Sequence, residues 1–234
     1  MADAGDGGGL GHGGPSWSPT RRDAVFLLLA GVFIAHALLG EILGGKLVRV
    51  GGWIMSVGVI PWPLVFVTTD LVNEYFGPKA VRRLTLFTIG LIVYAFVIIY
   101  ACIAVPTADI SPVHQDAFEQ VLGQSMWIIV GSLVAFASSQ LLDVVVFMLV
   151  RNRTAGRMLW LRAVGSTVVS QLIDTFVINT IAFGISGKLA AGDVLSLSVT
   201  NYTYKFLIAI ATLPLVYLGH GVVDRFLAKD HVRG

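Results

Sequence analysis

Six stretches of about twenty mainly apolar residues, at 24–43, 57–76, 84–105, 126–150, 163–187 and 195–218, govern what this chain can fold into. Crossing a bilayer's hydrocarbon core takes about 20 apolar residues of helix, and a lipid-embedded segment must satisfy its own backbone polar groups. The pattern therefore predicts an all-α, polytopic membrane protein, a bundle of six transmembrane helices over residues 21–226. Composition agrees. Of 234 residues, 56% are hydrophobic and only 13% charged, about half the charge that covers a soluble domain.

The ends read differently. Residues 1–20 are rich in Gly and lack an apolar run, as expected of a disordered cytoplasmic tail, and 227–234 form a short polar one. Asp3 and Asp6 stand where a signal peptide would be basic. Alternating the loops between the two sides puts twelve Lys or Arg on the side of the N-terminus, from Arg21 to Arg233. Only Lys46, Arg49 and Lys188 fall on the other. The positive-inside rule then places both termini in the cytoplasm. A net charge of +2 is too small to suggest nucleic acid; the expected partner is the lipid bilayer. A lone cysteine, Cys102, excludes an intramolecular disulfide and thiolate metal clusters. No metal and no cofactor is expected.

Ionisable residues inside a membrane are costly, at least ~2.5 kcal/mol each near the centre, so each needs a reason. Glu41 lies about 28 Å of helix beyond Arg22 and reads as a wetted helix end at the outer interface. Asp70 and Glu74, spaced i, i+4, share one helix face with Phe66. Asp143 and Asp174 fall about 12 and 18 Å from the cytoplasmic border, each closing the same short string: Ser139-Gln140-Leu141-Leu142-Asp143 and Ser170-Gln171-Leu172-Ile173-Asp174. In a helix, Gln and Asp three apart face one way, so each string offers an amide and a carboxylate to the space between two helices. Lys205 is the one base buried this way. Polar glue between helices would account for a single Asp–Lys pair; four acids against one base point instead to a ligand-binding cavity.

Other features read as structural. Gly131, Ala135 and Ser139 mark close helix packing, and Pro214 bends the last helix. Gly40, Gly45 and Lys46 approach a phosphate loop, but Leu47 replaces the hydroxyl that would hold magnesium. Neither Asp143 nor Asp174 is followed by the Gly expected of an intramembrane aspartyl protease, and no hydrolase elbow is present. The chain is not expected to be an enzyme.

The run from Pro61 to Gly77, with Trp62, Phe66, Asp70, Asn73 and Glu74, followed by Ala80 and Arg82-Arg83, resembles the queuosine precursor transporter family, a vitamin-uptake-like group. So do Gln140 to Asp143 with Phe147, Ser166 to Asp174 with Ala182-Phe183, and Tyr204-Lys205 with Pro214 and Tyr217. The resemblance implies a bacterial inner-membrane protein that imports 7-deazaguanine bases, salvaged for a transfer RNA modification. It maps substrate binding onto Asp70, Gln140, Asp143, Asp174 and Lys205. A deazaguanine offers adjacent N–H and amino donors to a carboxylate and a carbonyl to Lys205 or a glutamine. Its flat ring suits Phe66 or Tyr202. The resemblance also implies kinship with the substrate-binding subunits of energy-coupling-factor vitamin transporters, so a separate energising subunit stays open, as does a homodimer.

Overall fold

The computed structural model describes residues 20–44, 46–50, 53–123, 126–154 and 159–228. Most of the tail at 1–20, Gly45 of the phosphate-loop-like segment, Arg157, and residues 229–234 with Lys229 and Arg233 lie outside them.

Thr20 starts the first helix, α1 (Arg21–Leu43): its hydroxyl accepts from the Asp23 amide, and the Asp23 carboxylate accepts from the Thr20 amide at 3.0 Å. That reciprocal cap satisfies two amides that would otherwise face the headgroups unpaired. Next comes a feature that six apolar windows do not announce, an antiparallel hairpin of β1 (Leu47–Val50) and β2 (Trp53–Ser56). A single 3₁₀ turn, Val57–Val59, then leads into α2 (Trp62–Phe76). With 15 residues α2 is about 22 Å long, shorter than the ~30 Å hydrocarbon core. It is also buried on every side from Val67 to Asn73. The second apolar window is thus a central, enclosed helix, whose missing length the hairpin and turn supply.

Gly77 alone joins α2 to α3 (Pro78–Ile103), with φ 82° and ψ 171°. Only a residue without Cβ holds that backbone cheaply, and Pro78 opens the next helix where its missing N–H costs nothing. A short amphipathic α4 (Gln115–Leu122) covers the loop before α5 (Met126–Arg153). The antiparallel α6 (Leu159–Asn179) widens into a π-helical segment, Thr180–Ile185. Gly131 sits where α5 meets this pair: a Cβ there would come within 3.3 Å of Ile181 and of the Ile178 carbonyl. With Ala135 and Ser139 buried beside it, the small-residue stripe does pack helix on helix.

The last window is two helices, α7 (Ala191–Ala211) and α8 (Leu213–Ala228), broken at Thr212. Pro214, in the first turn of α8, cannot donate to the preceding turn, which ends one helix and starts another. Five helical stretches are long and apolar enough to cross a membrane: α1, α3, α5, α6 with its π segment, and α7 continued by α8. The shorter α2 is the sixth element of the bundle.

Polarity is inverted relative to a soluble protein. Leu28, Phe87, Val97, Val145 and Leu218 face outward, while Thr69, Asp70, Asn73, Gln140, Asp143, Ser166, Ser170 and Gln171 are all buried. Phe33, Val65, Val72, Val81, Ile92 and Phe136 close the apolar part of the core. One end of the bundle gathers the bases. Arg22 donates to the Tyr75 carbonyl at 2.9 Å, Arg21 reaches the Phe226 carbonyl at 3.4 Å, and Arg151 meets Glu74 at 3.8 Å. The hairpin lies at the other end.

Candidate substrate site

The buried polar residues form a connected set rather than isolated glue. Along α5, Ser132 hydrogen-bonds Glu41 of α1. Two turns on, the Ser139 hydroxyl donates to Asp174 at 3.4 Å, and the Thr69 hydroxyl of α2 donates to Gln140 at 3.3 Å. One turn further, Asp143 accepts from Ser170 at 3.1 Å and hydrogen-bonds Ser166. The two similar strings therefore meet, since their helices run antiparallel: the serine of each donates to the aspartate of the other.

Lys205 of α7 completes one half of this pairing, its ammonium 2.6 Å from Asp174. A salt bridge this short removes much of the cost of holding either charge in the bundle, provided both partners stay.

Beside this network a cleft opens between α2, α6 and the α7–α8 break. It has two adjoining hollows that share Phe66, Ala209 and Thr212. The hollow nearer the hairpin end is narrow, with Gln171 and Lys205 on one side and Trp62, Pro63 and Phe66 on the other. The one nearer the basic end is lined by both Asp70 and Thr167. Trp62 stacks on Phe66, ring centroids 6.0 Å apart and planes 23° from parallel, and packs against Phe136 at 5.4 Å. The cleft thus offers a flat aromatic surface, an ammonium, an amide and a carboxylate, the features that recognise a planar heterocycle with donors and acceptors on its edge.

Of the residues singled out by sequence, Phe66, Asp70, Gln171 and Lys205 line the cleft, and Asp174 stands behind Lys205. Gln140 and Asp143 are buried in the layer beneath, bonded to Thr69 and to the serines. Glu74 lies against Arg151 at the basic end, away from the cleft. Tyr202 donates to the Val168 carbonyl at 3.3 Å and lines neither hollow. Three residues were missed or misread. Glu41 is only 6% exposed and bonded to Ser132, not a wetted end. Trp62 is a cleft wall; its position at a helix start gave only an interfacial signal. Asn73 is fully buried and neither polar atom of its side chain has a partner among the described residues, leaving an amide for a ligand or water reaching this layer. Its i, i+3 spacing from Asp70 was the available signal.

A family model described as "Putative vitamin uptake transporter" matches residues 56–219, which include both hollows and every residue of the polar network except Glu41. The chain belongs to this vitamin uptake transporter family. Among curated relatives of this member, a "Probable queuosine precursor transporter" of Bacillus subtilis is 34% identical over 174 residues, 74% of each chain. A protein of the same name from Haemophilus influenzae is 27% identical over 157 residues, 65% of this chain and 63% of its own length. No solved structure gives a significant match.

Proposed function

We propose that this transporter imports queuosine precursors, 7-deazaguanine bases, across a bacterial inner membrane, and that it moves them itself rather than acting as an enzyme. The names of the two relatives support the substrate class. The observation that carries the proposal is the cleft itself. The base stacks on Phe66 and Trp62, its N–H and amino donors reach the Asp70 carboxylate, and its carbonyl accepts from Gln171 or Lys205. Asp174 holds Lys205 in place. Gln140 supports the α2 wall through Thr69. Charge-assisted hydrogen bonds of this kind contribute about 1.5–3 kcal/mol each.

The gathering of bases at one end favours that end as cytoplasmic, so the N-terminus is inside and the hollow beside Trp62 opens toward the outside. Purified protein in liposomes should take up the nitrile and aminomethyl deazaguanines and queuine in preference to guanine, without an ATPase. Uptake that appears only with a co-purifying ATPase would make the chain a substrate-capture subunit instead, and equal uptake of guanine would remove the deazaguanine assignment.

A further inference from the structure

Asp143 is a buried carboxylate that the cleft does not use. It is 2% exposed, and its partners are two hydroxyls, Ser170 at 3.1 Å and Ser166. The reciprocal pairing of the two strings makes Asp143 and Asp174 near-equivalents, yet they differ in one respect. Asp174 has the Lys205 ammonium at 2.6 Å, whereas Asp143 has no cation among the described residues. Among the described side chains, the other ionisable groups on the elements packed around it are engaged elsewhere or lie toward helix ends. Asp174 of α6 is held by Lys205, and Glu74 of α2 by Arg151. Asp70 faces the cleft, Glu41 of α1 bonds Ser132 nearly three turns up α5, and Lys79, Arg82 and Arg83 lie in the first turns of α3.

A carboxylate enclosed in a membrane bundle without a counter-charge is stable either neutral or in transit between two states. Its surroundings suit both. The Ser170 hydroxyl lies 3.1 Å from Asp143 and also 3.1 Å from the Thr167 carbonyl. When Asp143 is charged, that hydroxyl donates to it. When Asp143 is protonated, the acid O–H donates to the Ser170 oxygen, and the serine hydrogen turns to Thr167. Thr167, like Asp70, lines the hollow nearer the basic end, so the switch ends on a residue of the cleft wall.

We propose that Asp143 is the proton-coupling residue of this transporter: it binds one proton from the hairpin side and releases it at the basic side with each substrate moved. The step is a plain protonation, carboxylate plus proton to carboxylic acid and back, with no other reactant. It rests on the transport reading above, and two assays keep the two claims apart.

The full chain is reconstituted in liposomes with radiolabelled aminomethyl deazaguanine. Exchange at equal pH tests transport, and accumulation with acid outside tests coupling. The wild type is expected to do both and to lose accumulation with a protonophore. Asp143→Asn should keep exchange and lose accumulation above equilibrium. Accumulation by Asp143→Asn at the wild-type level, or driven by a sodium gradient and indifferent to pH, overturns the proposal. If Asp143→Asn does not fold, Asp143→Glu serves: it should accumulate with a displaced pH dependence, and an unchanged one overturns the proposal. If the wild type exchanges none of the bases, the substrate reading has failed, and infrared difference spectra on acidification still decide the proton claim. A protonated-carboxyl band present in the wild type and shifted in Asp143→Glu supports it, and no such band overturns it.

Discussion

Lys205 and Asp174 show how a single pair organises the site. Lys205→Met leaves the part-buried Asp174 carboxylate without its base; breaking a fully buried pair from one side costs about 3–5 kcal/mol, which is the upper bound here. The variant should melt markedly lower in detergent, and Lys205→Met combined with Asp174→Asn should regain much of that loss without regaining ligand affinity. A pair that only glued helices would regain nothing distinctive at the ligand. Glu74 offers the contrast: at 3.8 Å, with Arg151 35% exposed, its ion pair contributes at most ~1 kcal/mol. Glu74→Gln should leave both melting and substrate affinity nearly unchanged in the same titrations. Sequence made Asp70, Gln171 and Lys205 legible because a charge or amide in an apolar window stands out. It could not sort neighbours. Counting residues along α1 gives Glu41 a depth, not the Ser132 beside it, and an i, i+4 pattern linked Glu74 to Asp70 although α2 ends two residues later.

The elements that position the site are the irregular ones. The link between α2 and α3 is Gly77 alone, held at φ 82°, and Gly77→Ala is expected to cost about 1–3 kcal/mol through backbone strain, seen as a lower melting temperature with the ligand preference retained. Below the break at Thr212, α8 is tied to α2 by Tyr75, whose hydroxyl donates to Asp224 at 2.5 Å and lies 3.2 Å from His220. Tyr75→Phe removes these contacts. Hydrogen exchange should then quicken in α8 and at the C-terminal end of α2, with α5 and α6 unchanged; uniform protection would show that this contact does not hold the basic end closed. The long helices were legible from apolar length; at Pro214 the sequence announced a bend in one helix, where the structure has a break between α7 and α8. The hairpin was not, because two four-residue strands are too short to show an alternating period. Nor was the shortness of α2, whose apolar window runs on through a 3₁₀ turn without a change in composition.

At the scale of the molecule, a polar interior inside an apolar exterior, with bases gathered at one end, describes a membrane protein built around a small polar cargo. The all-α class and the membrane setting follow from the apolar windows, with composition in agreement. The cleft does not, since its walls come from helices separated by more than a hundred residues. If the basic end is cytoplasmic, a cysteine placed at Lys188 should react with an impermeant maleimide in intact cells, and one at Arg225 only after lysis; the reverse pattern would invert the orientation. The central claim is that the cleft beside Phe66 and Asp70 binds a deazaguanine. Its most direct test is a thermal-shift titration of the detergent-purified chain with the nitrile and aminomethyl deazaguanines, queuine and guanine, since a ligand that binds only the folded state raises its melting temperature. The expected result is stabilisation by a deazaguanine over guanine, with affinity reduced roughly ten- to hundredfold in a folded Asp70→Asn variant. No shift with any of the four at millimolar concentration, or the same shift in Asp70→Asn, would contradict it.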